Sequence, residues 1–313
     1  MKLNVASSPH IRGAFRTNRI MLDVVIALLP ALAVGVYRFG VKALAVTAVC
    51  FATAIVCELL CGLVMRRCTV KDGSAGVTGL LLALTLPATT PLWQCALGAF
   101  FAIVIVKALF GGLGQNVFNP ALAGRALMML VWPVGITRFA ALGVDGVTAA
   151  TPLHHMVMPA LPEESILDLF LGNCPGCIGE ISALALLVGG AYLVWRKVIS
   201  VRIPLAYLGA VAILTLVFPK AGTPVEWMLA NLFSGGVMLG AIFMATDYVT
   251  SPVTDRGQII FGLGCGALTV LFRYFGLFPE GVTYAILLMN AAVWMIDRYT
   301  APRRFGTKKG GRA

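Results

Sequence analysis

Apolar runs long enough to cross a bilayer recur along the chain at 20–40, 42–65, 92–110, 181–197, 203–219, 258–277 and 281–297. A membrane helix needs about 20 mostly apolar residues, and these runs approach or meet that length. Three more stretches are shorter or broken by Gly and Pro: "SAGVTGLLLALTLP" (74–87), "NPALAGRALMMLVWPVG" (119–135) and "FSGGVMLGAIFMATDYVTSP" (233–252). The pattern predicts an all-α polytopic membrane protein of about ten segments. Five precede and five follow a polar stretch, "DGVTAATPLHH" (145–155). The segments are too long and too uniformly apolar for barrel strands, which alternate in polarity over roughly 9–11 residues.

Composition strengthens the same reading. Hydrophobic residues make up 59% of the 313 and charged ones 12%, against about 45–50% and about 25% in soluble domains. The formal charge of +11 does not point to nucleic acid, because the basic residues cluster at the ends of apolar runs, as positive-inside topology and anionic lipid headgroups require. With both termini cytoplasmic, the inner connectors hold Arg12, Arg16, Arg19, Arg66, Arg67, Lys71, Lys107, Arg196, Lys197, Arg202, Arg256 and the basic tail. The outer ones hold Arg38, Lys42, Arg138, Lys220 and Arg273. That asymmetry orients the chain and puts 136–180 outside, together with Asp145, Glu163, Glu164, Asp168 and Glu180. The polar, basic start lacks the apolar core of a cleavable signal peptide, so none is expected. The expected organisation is a cytoplasmic segment 1–19, a five-helix repeat 20–135, a connector 136–180, a second repeat 181–297 and a cytoplasmic tail 298–313.

The halves resemble each other. "GLLLALTLPATTP" (79–91) aligns with "GAIFMATDYVTSP" (240–252), placing Gly79, Thr85, Thr89 and Pro91 on Gly240, Thr246, Thr250 and Pro252. Five segments per half make the repeat an inverted one, and broken segments at matching places point to a midplane site. Irregular backbone at that depth needs protein or a polar cavity around it.

Several polar residues sit where an apolar chain has little use for them. In "FGGLGQNVFNPALAGR" (110–125), Asn119 is placed to cap a helix that starts at Pro120. Alternatively, Asn116, Asn119 and Arg125 face a polar cavity. Arg125 is costly inside an apolar block unless it meets a phosphate, a carboxylate or carbonyls. Asp247, beside Thr246 and Tyr248, and Asp23 are candidates for an ion pathway, while Glu58 and Lys107 are expected near an interface where they can snorkel. Cys50, Cys57, Cys61 and Cys68 share one helix face, which suits packing better than metal binding. The Cys174/Cys177 pair in "GNCPGCIGE" could be a thiol pair or half a metal site, but no second pair accompanies it. Its glycines, with Asn173 and Glu180, read as a turn returning the connector to the membrane. His154 and His155 read as a polar helix start or a proton relay. On residues alone, "DGVTAAT" is either a capping turn or an exposed hydroxyl among residues without bulk.

Asp145-x-x-Thr148-Ala149-Ala150-Thr151 resembles the recognition sequence D-x-x-(S/T)-G-A-T, in which flavin transferase joins FMN through its phosphate to the last threonine. Ala149 stands where glycine is usual, and Pro152 holds Thr151 extended. "SPHIR", "RTNRIMLDVVIALLPALAVGVYRFG", "DGSAGVTGLLLALTLP", "FGGLGQNVFNPALAGRA" and "TDYVTSPVT" occur in order across 7–305. Together they resemble the family of Rnf-complex D subunits, from ion-translocating ferredoxin:NAD oxidoreductases, and the related B-type subunits of sodium-pumping NADH:quinone oxidoreductases.

The resemblance implies ten helices in two inverted repeats of urea-transporter-like fold, within the bacterial cytoplasmic (inner) membrane. It implies a translocase component with covalent FMN at Thr151, near Asp145 and Thr148, and electron transfer coupled to Na⁺ or H⁺. A second, noncovalent flavin such as riboflavin is a further expectation. So are the partner A, B, C, E and G subunits of an Rnf complex, and a flavin transferase during maturation. No residue is expected to act as a catalytic nucleophile, and no metal site is expected. Two rival readings remain, a channel or carrier without redox function and a purely structural anchor.

Overall fold

The computed structural model describes residues 17–66, 70–140, 148–149, 152–157, 160–162, 164–276 and 280–302. The first two apolar runs form α1 (Thr17–Phe39) and α2 (Val41–Val64), which turn about Gly40 at φ 65. After a single 3₁₀ turn, Val70–Asp72, come α3 (Ser74–Leu84), α4 (Leu92–Phe100) and α5 (Pro120–Val131). Helix α4 continues directly into a π-helical stretch, Phe101–Ala108. After α5 come α6 (Pro133–Ile136), which leads into the connector, and within the connector a two-residue strand pair, α7 (Pro152–Val157) and α8 (Ile166–Leu171). In that pair Phe139 lies opposite Ala149 and Ala140 opposite Thr148. The second half consists of α9 (Ala183–Trp195), α10 (Arg202–Val217), α11 (Pro224–Phe233), α12 (Val237–Leu239), α13 (Asp255–Phe275) and α14 (Val282–Thr300). A second π stretch, Gly240–Met244, extends α12.

Among the described residues, α1, α2 and α13 are long and apolar enough to cross a membrane alone. Pro224–Phe233 and Val237–Met244 together make a further span, bent by 64°. Helices α3, α5 and α9 have 11, 12 and 13 residues, which at 1.5 Å per residue cover about 16–20 Å of a core about 30 Å thick. None of the three covers such a core alone, and backbone ends at membrane depth must be satisfied inside the protein. Thr85 closes α3 by donating to the Leu82 carbonyl at 2.7 Å, and its aligned counterpart Thr246 donates to the Ile242 carbonyl at 2.6 Å.

The hydropathy pattern predicts one broken segment over 233–252. The structure adds α11 ahead of it, started by a capping box between Thr223 and Glu226. Polar residues at that end conceal the half-helix from a hydropathy reading. The strand pair is a small departure from an all-α fold, confined to the connector.

Leu22, Leu29, Leu59, Leu60 and Leu63 are exposed, while Thr47, Glu58, Lys107 and Arg125 are buried. Apolar surface outward and polar groups inward is the distribution that lipid imposes on a membrane protein. Helix α2 lies against α3 and α4, and α10 against α11 and α13. Among the described residues, α1 packs on α9 and α5 on α14, contacts that join the halves. Cys50 and Cys57 are buried free thiols, and Cys50 donates to the Cys95 carbonyl at 3.9 Å. Cys68 lies outside the described residues.

The connector returns to the membrane along the end of α3. Ile178 and Gly179 donate backbone hydrogen bonds to the Leu86 and Leu84 carbonyls at 3.0 and 2.8 Å. A Cβ on Gly179 would lie 2.6 Å from the Leu84 side chain, so only glycine permits this approach.

Candidate functional site

The loop that begins α5 is built on glycine. Gly111, Gly112 and Gly114 have φ of 112, 98 and 94, a region side chains rarely adopt. It delivers Asn116 and Asn119, both buried, to the start of α5. Asn119 caps the helix, its Oδ1 accepting from the Ala121 and Leu122 amides at 3.1 and 3.4 Å. Its Nδ2 donates to the Met244 carbonyl at 3.2 Å, at the end of the second π stretch. The asparagine therefore caps one half and holds the other.

Asn116 and Asn119 line an open pocket between the halves, and Asp247 and Thr246 line it too. Its walls are mainly apolar, with Leu81, Leu193, Val198 and Phe243, and Thr78 and Ser74 add hydroxyls. Thr250 donates to the Asp247 carboxylate at 3.0 Å. A mostly apolar pocket with a few fixed polar groups is the usual lining of a cofactor or small-molecule site.

Lys107 also borders this cavity. It does not snorkel. The first π stretch turns it inward, where its Nζ donates to Glu58 at 2.6 Å and to the Ser74 hydroxyl at 2.7 Å. Both ionic side chains are 5% exposed, and their pairing offsets the cost of burial. Asp23, on α1, accepts from the Tyr192 hydroxyl at 2.9 Å and from Arg196 at 3.2 Å, tying α1 to α9.

Arg125 stands apart from that cavity. Its Nη1 donates to Glu180 at 2.9 Å, and its Nη2 donates to Glu280 and to the Cys177 sulfur, 3.6 Å away. The three ionic side chains are 4%, 3% and 13% exposed. A buried guanidinium shared by two carboxylates answers the demand that the sequence posed for Arg125. Donor atoms of Cys177, Glu180 and Glu280 lie within 4.8 Å of one another, a metal-like grouping, but Arg125 already supplies the positive charge there.

The cysteines are not poised for thiolate chemistry. Burial pushes the Cys174 thiol up to about 12, and burial with the Glu180 charge pushes Cys177 well above the ordinary thiol value. Asp168, at the foot of the same turn, is held below the usual carboxylate range by hydrogen bonds from Ser165 and Asn173.

A small pocket borders the Arg125 cluster, lined by Pro152, Leu153, Cys174, Glu180, Ser234 and Glu280 among others. Leu153 and Met156 of α7 are buried in a cluster with Leu169, Ile181 and Trp227, which fixes α7 against α8 and α11. Thr151 and Asp145 lie outside the described residues. Thr148 pairs through its backbone in the strand, and His154 and His155 sit in α7.

Sequence reasoning passed over Ser74, Ser234 and Glu280. Arg273, counted from the sequence as an outer-connector charge, is 5% exposed and donates to the Asn231 and Ser234 carbonyls at 2.6 and 2.8 Å. Glu280 just before an apolar run carried a usable signal, because an acid at a span boundary suits a buried arginine elsewhere. The two serines carried none.

The family model described as the NQR2, RnfD, RnfE family matches residues 4–306. The D subunit of the Na⁺-translocating ferredoxin:NAD⁺ oxidoreductase complex of Acetobacterium woodii is 49% identical over 316 residues, covering 99% of this chain and 97% of that protein. The D subunit of the proton-translocating ferredoxin:NAD⁺ oxidoreductase complex of Clostridium ljungdahlii is 45% identical, over 97% of this chain and 96% of its own length. The D subunit of the ion-translocating oxidoreductase complex of Escherichia coli O127:H6 is 35% identical, covering 99% of this chain and all of that protein. Matched along nearly its whole length by the family and by these relatives, the chain belongs to the NQR2, RnfD, RnfE family.

Proposed function

We propose that this chain is the D subunit of an Rnf-type complex, carries FMN bound through its phosphate to Thr151, and passes electrons between ferredoxin- and NAD-linked subunits. That traffic is coupled to Na⁺ or H⁺ movement across a bacterial cytoplasmic membrane. The Acetobacterium and Clostridium relatives carry different ions in their names, so both ions stay in the proposal. Its partners are the A, B, C, E and G subunits, with a flavin transferase needed for maturation.

The observation that carries this reading is the D-x-x-T-x-A-T run ending one residue before α7, in a chain related over its whole length to such subunits. Anchoring by Leu153 and Met156 supports it, since a redox group useful for directed transfer needs a fixed base. Both termini inside and the connector outside follow from the charge asymmetry. The pairing of α1 with α9 and of α5 with α14, and the matched Thr85 and Thr246, support two inverted five-helix repeats of urea-transporter-like fold.

The residues around the larger cavity suit a second, noncovalent flavin. Its apolar walls match a ring system, and Asn116 and Asn119 offer amide groups to the ring's polar edge. When bound, flavins supply one- and two-electron redox chemistry, while the protein sets position and potential. Asp247 and Asp23 are the proposed ion-pathway groups.

The test is fluorescence under ultraviolet light of the denatured chain in a gel, after expression with flavin transferase. The parent band and Thr148→Val should glow, the latter at least in part, and Thr151→Val should be dark. A dark parent band would refute covalent attachment.

A further inference from the structure

We propose that Glu280, Glu180 and Ser234 form a seat for the hydrogen-bond-donating edge of the flavin attached at Thr151, and that their carboxylates hold its reduction potential down. The inference rests on the covalent-flavin reading and assigns the surroundings of that group.

Pro152 and Leu153, the residues that follow Thr151 in the chain, line one pocket together with Glu180, Glu280 and Ser234. Ser234 is 1% exposed, yet its hydroxyl has no hydrogen-bond partner within the protein. A buried, unsatisfied hydroxyl costs stability unless a ligand or water completes it. Glu280 Oε1 receives only a weak contact from Cys177, at 3.9 Å, so it keeps acceptor capacity. The backbone is pressed close as well, since a Cβ on Gly236 would come within 2.5 Å of Glu180 Oε1.

The chemistry selects which part of the flavin fits. Carboxylates repel the phosphate and accept from donors, and the ring N3–H and the ribityl hydroxyls are donors. A metal cation is a poorer fit, because Arg125 already bridges both acids. Arg125 and Arg273 face Glu180 and Glu280, while Glu164, Asp168 and Arg38 act on Cys174 nearby, and Cys174 and Cys177 stay neutral. Removing one carboxylate charge makes the site less negative, which favours the negative charge added on reduction.

The test uses the full chain expressed with flavin transferase, comparing the parent with Glu280→Gln and Ser234→Ala. Denatured-band fluorescence reports attachment, and a spectroelectrochemical titration with native flavin fluorescence reports surroundings. The expected result is bright bands throughout, a higher midpoint potential in Glu280→Gln and altered native fluorescence in Ser234→Ala. Bright bands with potential and fluorescence equal to the parent's would overturn the seat and leave attachment standing. A dark parent band would remove both. Should Glu280→Gln fail to accumulate, Ser234→Ala decides, because its hydroxyl makes no internal bond whose loss could unfold the protein.

Discussion

Asn119 donates from its Nδ2 to the carbonyl of Met244 at 3.2 Å, 125 positions along the chain, while its Oδ1 caps α5. One side chain thus serves a helix start in the first half and a π-helix end in the second. Asn119→Ala should lose the cap and the tie, about 1–2 kcal/mol for the cap and about 1 kcal/mol for the tie. Asn119→Ser should keep the cap and lose only the tie. Thermal unfolding in detergent should rank parent, Ser and Ala in descending order.

Arg125 is the counter-charge for two buried acids. Arg125→Met should destabilise by about 3–5 kcal/mol, because it strands both carboxylates. Adding Glu180→Gln and Glu280→Gln should recover part of that loss, since removing both sides of a buried pair costs less than removing one. Equal stability of the single and triple variants would show that the charges do not couple.

The same physics governs Lys107 and Glu58 within the first half. Lys107→Met should destabilise by about 3–5 kcal/mol, and Lys107→Met with Glu58→Gln by less. If Lys107 were at the lipid interface, the single substitution would be nearly neutral by the same unfolding measurement.

The buried thiols give a pH signature. A thiol whose folded value is raised holds its proton more tightly when folded. Its contribution is complete below the ordinary value of 9.0 and is lost as pH rises from there towards about 12 for Cys174. Maleimide labelling of Cys174 and Cys177 should be negligible at neutral pH in the native chain and rapid once it is unfolded. Quick native labelling would contradict their burial.

Much of the span pattern was legible because apolar runs announce themselves, and α1, α2, α13 and α14 fall where the runs fall. Helix α11 was not, because Glu226 and the capping box give its start the polarity of a loop. The need of Arg125 for a partner was readable, but its partners stand 55 and 155 positions away, a separation that local pattern does not encode. Asn116, Asn119 and Asp247 stand out separately in the sequence, and the structure brings them to one cavity while setting Arg125 apart. The inward turn of Lys107 depends on a π stretch, which has no distinct sequence period among apolar residues.

The central claim is that Thr151 carries FMN. Mass analysis of the tryptic peptide spanning 139–196 from the purified chain tests it most directly, with fragmentation to locate the added group. The predicted result is a peptide heavier by one FMN less one water, with the increment on Thr151. An unmodified peptide from chain matured with flavin transferase, or an increment on Thr148, would contradict it.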